Sequence, residues 1–116
     1  MSTRATIRFA TREEGVTFNE HPKKWNAQLY RHHDGYPEGL GVDIAEQAPM
    51  RVEIEHIDTV HGDVEYIYYI WQDHDKSMWI SIFKTNVWEE KDEECIFVGR
   101  PDKLIGKYKI NTNDEG

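Results

Sequence analysis

Polar and apolar positions first alternate at residues 5–11, where Ile7 and Phe9 fall on one side between Thr6, Arg8 and Thr11. A period of two marks a half-buried strand. Residues 12–15 are polar and turn-like, 16–19 offer a short second strand, and 21–24 interrupt as a loop around Pro22. Residues 25–31 read as a strand that delivers the chain to His32. The period changes at Pro37. Leu40, Ile44 and Ala48 recur in steps of four with Ala45 beside them, which predicts a helix over 37–48. Pro37 suits its first turn, Glu38 complements its dipole, and Pro49 stops it. Gly39 and Gly41 are costly there, each by about 1 kcal/mol against Ala in a helix interior. Either the first turn is irregular or something packs too close for a side chain, and close packing onto the sheet is the expectation.

Residues 50–60 read as a strand, with Val52, Ile54 and Ile57 apolar and Arg51, Glu53 and Glu55 facing out. The densest β signal follows: 64–71 and 78–85 are rich in β-branched and aromatic residues and flank a turn cluster at 73–77, which predicts a hairpin. Its first arm is bulky on both sides, with Tyr66, Tyr68 and Ile70 on one and Ile67, Tyr69 and Trp71 on the other. A single helix covers only one of these faces. The other must be shielded by loops, by a second copy in a homo-oligomer, or by a partner. Residues 89–94 form a charge run expected as a solvated turn, 95–98 return as a strand, 101–108 suggest a short helical turn docking Leu104, Ile105 and Tyr108, and 111–116 are expected to fray. The expected architecture is a single α+β domain over 1–116. It has a mainly antiparallel sheet of about five or six strands and one principal helix packed on a face. The predicted order is three strands, the helix, then three or four more strands.

Composition narrows the function classes. The 116 residues include four Trp, six Tyr and four Phe, enough large side chains for one core. The net charge is −8, from 14 basic and 22 acidic side chains. That opposes nonspecific nucleic-acid binding and attachment to anionic membranes, and it suits a basic protein partner, a bound cation or plain solubility. Cys95 is the only cysteine, so no internal disulfide forms and a reducing compartment is expected. It sits among acids in a strand, which favours a structural thiol over a nucleophile. No apolar run is long enough for a membrane helix, residues 1–6 carry no hydrophobic signal segment, and a cytoplasmic location is expected.

Candidate chemistry concentrates at Arg31-His32-His33-Asp34-Gly35-Tyr36-Pro37-Glu38-Gly39. Asp-Gly explains a bend and Pro a helix start, but neither requires two imidazoles or Tyr36. With His61, Asp63 and Glu65, the residues His32, His33, Asp34 and Glu38 could hold a zinc- or manganese-type ion. Adjacent His32 and His33 would point to opposite faces of a strand, so at most one would coordinate. There is no His-Glu-x-x-His and no cysteine pair. The plainer reading is that Asp34 and Asp63 organise turns and the histidines bond locally. His33 with Asp34 or Glu38 could serve acid–base work. No Gly-x-Ser-x-Gly, phosphate-binding glycine loop or dinucleotide fingerprint occurs, although a nucleotide could reach the amides at the Pro37 helix start. Glu53, Glu55 and 89–94 could imitate phosphates toward a basic protein. Any shared site requires segments 32–38 and 61–65 to converge.

The stretch 30–39 resembles a family of small uncharacterised proteins encoded by bacteriophages and prophages. The resemblance extends to the opening residues 2–6 and to 61–68, where His61-Gly62-Asp63 leads into an aromatic strand. It implies genomic context rather than mechanism. The leading expectation is a non-enzymatic accessory protein in the host cytoplasm that binds a host protein or other macromolecule, a defence component included. Contacts are expected at Tyr36, Trp71 and Trp79, because aromatic groups dominate interface energetics. The alternatives are a small metal-dependent hydrolase or ligand-binding protein using His32, His33, Asp34 and His61, and an acidic nucleic-acid mimic. No cofactor is implied beyond a divalent metal.

Overall fold

The computed structural model describes residues 3–11, 20, 22, 24–73, 75–85 and 93–109. The strands are β1 (Ala5–Ala10), β2 (Trp25–Arg31), β3 (Glu53–Glu55), β4 (Tyr66–Gln72), β5 (Met78–Lys84) and β6 (Glu94–Gly99). They form one sheet in the order β3-β2-β1-β4-β5-β6. A π-helical turn, Pro37–Gly41, runs directly into α1 (Val42–Glu46), and α2 (Pro101–Tyr108) follows β6. Among the described residues, no helix is long and apolar enough to cross a membrane.

The class is α+β, as expected, but the sheet is mixed. β1 pairs with β2 antiparallel and with β4 parallel, whereas the β2–β3, β4–β5 and β5–β6 pairs are antiparallel. The hairpin of β4 and β5 matches expectation. Its turn is organised by Asp73, whose carboxylate accepts the amides of Asp75 and Ser77 and the indole N–H of Trp79. The Trp79 bond, the Ser77 amide and nearby Arg100 hold that carboxyl below its usual pKa.

Three elements are shorter or different from expectation. The helix stops at Glu46 rather than Ala48, because Gln47 turns left-handed (φ 55°) and its amide closes on Asp43 and Ile44, two residues before Pro49. The strand expected over 50–60 shrinks to Glu53–Glu55, because a turn at 56–59 takes the chain away from the edge. The short helical turn expected at 101–108 is a full helix with those bounds, and it docks as expected: Leu104 buries completely while Ile105 and Tyr108 pack behind it. The short strand at 16–19, most of the 89–94 charge run and the tail 111–116 lie outside the described residues.

Both helices cover one face of the sheet. There Ala5 and Ile7 of β1, Tyr68 of β4, and Ile80 and Ile82 of β5 meet Leu40, Ile44, Ala45 and Leu104. Burial of these side chains follows the period of two in the strands and the four-residue step in the helix. Gly41 packs as expected: a Cβ there would sit 3.4 Å from the Tyr68 ring and 3.6 Å from Leu104. Gly39 instead faces its own loop, 2.9 Å from the Asp34 carbonyl and 3.1 Å from the Tyr36 ring. The first turn is irregular as well, so both explanations for the glycines apply at once.

One buried bond ties the 32–39 loop to the sheet. The Tyr68 hydroxyl, fully buried, donates to the Gly35 carbonyl at 2.6 Å. Gly35 lies so close to β1 that a Cβ would come within 2.7 Å of the Ala5 Cβ, and its amide donates to the Thr3 carbonyl at 2.9 Å. Burial, reinforced by Tyr66 and Glu38, pushes the Tyr68 pKa well above its ordinary value. The folded state therefore keeps this proton at a pH where the unfolded chain has lost it, so stability falls as pH rises above about 10. Tyr68→Phe should cost about 1–3 kcal/mol near neutral pH, because it strands a buried carbonyl. Urea titrations across alkaline pH should show that the variant also loses part of the wild-type decline above about pH 10.

Candidate functional site

The opposite face of the sheet is covered over β2 and β1 by segment 56–65, which carries the chain from the β3 edge to the centre. Its carbonyls take the side-chain donors beneath: Ile57 accepts from the Trp25 indole at 3.0 Å and Thr59 from the Gln28 amide at 2.8 Å. Gln28 is 1% exposed, so these partners are what permit a polar amide there.

Side chains form a continuous polar chain along this face. The Tyr69 hydroxyl accepts from Arg8 Nη1 at 2.7 Å, and Arg8 Nε donates to Gln28 Oε1 at 3.0 Å. Gln28 Nε2 donates to Glu55 at 2.6 Å, and both Glu55 oxygens lie within 3.0 Å of His61 Nε2. The His61 ring stacks on Tyr30 at 4.1 Å between centroids. The Tyr30 hydroxyl lies 3.2 Å from His32 Nδ1, Arg4 Nε donates to the same nitrogen at 3.3 Å, and Arg4 pairs with Asp63 at 2.8 Å. Burial and the Asp63 carboxylate raise the Tyr30 pKa, and Arg4 opposes them.

The two separated segments therefore do meet. His32 from one and His61 and Asp63 from the other converge on Arg4 and Tyr30. His32 and His33 lie beyond the end of β2, not on it, and their rings meet edge to face at 4.5 Å. Both line an open groove of about 620 Å³ with Arg31, Asp34, Arg51 and Glu53. Asp34 is left-handed (φ 55°) and exposed, and it accepts the Tyr36 hydroxyl at 3.4 Å. Glu38 belongs to the helical side of the sheet, where, after burial, its charge is the chief influence raising the pKa values of Tyr66 and Tyr108. Trp71 and Trp79 occupy the far end of the covered face, stacked at 5.2 Å. Trp71 is 3% exposed and its indole donates to Ser81, which withdraws it from any outside contact.

Among the described residues, no group of three metal-capable side chains comes together. The amides at the Pro37 helix start are used locally, since Gly39 and Leu40 donate to the Tyr36 carbonyl. Glu55 points inward rather than out: its side chain is 13% exposed and shared by His61 and Gln28. The carboxylate holds the Nε2 edge of His61, the arrangement by which a carboxylate fixes an imidazole tautomer.

Arg4, Arg8, Gln28 and Tyr30 were not singled out from the sequence, and Glu55 was read there as an outward-facing acid that could imitate a phosphate. The signal was the polar half of the β1 and β2 alternation (Thr6, Arg8, Gln28, Tyr30), which local pattern assigns to solvent. Glu55→Ala should lower stability by about 1–3 kcal/mol, because it removes partners from buried Gln28 and half-buried His61. Glu53→Ala, at an exposed position on the same strand, should stay within about 0.5 kcal/mol of wild type. Chemical denaturation of both variants checks this, and equal losses would show that Glu55 has no special place.

Comparison with protein-family models, curated proteins and solved structures finds no match, so the chemistry of the site is read from its own geometry.

Proposed function

We propose that this is an interaction protein, a phage or prophage accessory factor that binds a host protein through the loop 32–38. The reading is supported by how differently the residues of that loop are used. Gly35 is locked under Tyr68 and against β1, and Pro37 is buried in the first helical turn. Tyr36, 36% exposed, and the exposed His32, His33 and Asp34 are set on this pinned backbone, facing out. A rigid loop that presents an aromatic ring and imidazoles is the kind of surface that supplies contact residues without much ordering cost on binding. Trp79, half-buried near the other end of the sheet, remains a separate contact candidate; Trp71 does not.

The other readings have less behind them. A metal-dependent hydrolase needs ligands that the described residues do not assemble. Phosphate mimicry loses Glu55 to the interior.

The test is capture from host lysate at moderate salt, with wild-type protein beside Tyr36→Ala. The variant should melt within a few degrees of wild type and lose the captured protein. A partner retained at full yield by Tyr36→Ala would remove the loop from the interface. No capture above background by wild type would remove the proposal itself.

A further inference from the structure

β6 is the last strand of the sheet, and among the described residues no strand pairs with its outer side. An open edge offers backbone donors and acceptors to another chain. This one runs along an open groove of about 660 Å³ between β6 and α2, with Trp79 of β5 at its side. Phe97 belongs to the helix-covered face and Val98 to the other, and both line the groove. The groove therefore follows the edge itself rather than either face of the sheet.

Its charge has one sign. Arg100, Lys103 and Lys107, all exposed, line it, and among the described residues no carboxylate does. Asp102, next to Lys103 in sequence, is exposed but lies off the groove. Lys103 and Lys107 stand one turn apart on α2, on the same side of that helix. Among the described residues neither makes an ion pair, and Arg100 reaches Asp73 only at 3.8 Å. Lys107 leans over to the strand, with its Nζ donating to the Ile96 carbonyl at 3.3 Å and lying 5.9 Å from the centre of the Phe97 ring. On a chain of net charge −8 this cluster is a local reversal.

We propose that this edge binds an extended acidic peptide segment of another protein, which adds to β6 as a further strand. Main-chain bonds to the edge supply affinity, and alternate side chains supply specificity. Successive side chains of an added strand go to opposite faces. One set, carrying carboxylates, meets Lys103 and Lys107 beside Phe97. The other, apolar, meets Val98 and Trp79. The same lysines repel a basic strand, so attraction and exclusion come from one pair of residues. A single-stranded nucleic acid fits less well. One face of the Trp79 ring is stacked on Trp71 and Arg100 lies 5.7 Å from its centre, which leaves little room for a base, and the net charge opposes a long polyanion. Attraction by exposed cations on an acidic chain is sensitive to salt. β6 is at the opposite edge of the sheet from β3, so this surface does not depend on the loop 32–38 or its function.

The test is a fluorescence anisotropy titration at low salt with a dye-labelled, end-capped peptide of alternating Glu and Val, beside its Lys-Val counterpart and an oligothymidylate. Saturable binding of the Glu-Val peptide alone is expected, weakening as sodium chloride is added. The double variant Lys103→Glu, Lys107→Glu changes only exposed side chains, so it should keep the fold and lose affinity several-fold or more. In isotope-labelled protein, bound Glu-Val peptide should slow hydrogen exchange of backbone amides within 96–98. No saturable binding of that peptide, or unchanged affinity in the double variant, overturns the proposal. Binding without any slowing in 96–98 shows attraction of charge alone and overturns strand addition. Preference for the oligothymidylate gives the groove to nucleic acid, and dimerisation of the protein that the double variant abolishes gives it to a second copy; either result also overturns the proposal.

Discussion

The parallel pairing of β1 with β4 is the constraint on which the rest of this structure hangs. β3 is antiparallel to β2, and β2 to β1, so β3 and β4 run in the same direction on either side of the β2–β1 pair. Two strands pointing the same way need a connection that travels back along the sheet. Segment 56–65 is that connection. It leaves β3 near Trp25, passes Gln28, and returns to Arg4, where the Glu65 amide donates to the Arg4 carbonyl at 2.9 Å just before β4 begins. The meeting of His61 and Asp63 with His32 follows from that path.

The same path explains how a sheet with helices on one side keeps bulky and polar residues on the other. Trp25, Gln28 and Tyr30 would face water without the crossover. With it, the Trp25 indole and the Gln28 amide donate to carbonyls of the crossover, Gln28 also donates to the Glu55 carboxylate, and Tyr30 stacks on the His61 ring. The chain of contacts from Tyr69 to Asp63 is what a covered polar face requires, since unsatisfied buried groups cost more than satisfied ones return. Its members are specified jointly: Gln28 serves Arg8 on one side and Glu55 on the other, and Glu55 also holds His61. Near the opposite end of the same face, Trp71, Trp79 and Asp73 form a separate packed unit around the hairpin turn.

Much of the local structure was legible in the sequence. The hairpin shows in its aromatic and β-branched density, and Leu40, Ile44 and Ala45 mark the apolar face of the helix. The turn at Asp34 and the close approach at Gly41 were also foreseen. What was not legible is long-range. Nothing in residues 5–10 or 66–72 says whether the strands they form run parallel or antiparallel, because the period of two is the same in both. Arg8 and Gln28 read as solvent-facing, because burial of a polar strand position depends on a crossover contributed from far along the chain. Glu55 was misassigned for the same reason. The helix end was misplaced because a left-handed Gln47 carries no strong sequence signal, unlike the Pro49 that follows. At the motif, Asp-Gly was correctly seen as a bend, while the Tyr68 partner of Gly35 lies thirty-three positions away and is invisible to local pattern.

Nuclear Overhauser contacts in labelled protein test the parallel crossover most directly. The account predicts interstrand contacts of the parallel type between Ile7 and Tyr68 and their neighbours, together with contacts between the Tyr30 and His61 rings. Antiparallel contacts between β1 and β4, or a His61 ring with no contact to Tyr30, would contradict it and dissolve the convergence of the two segments.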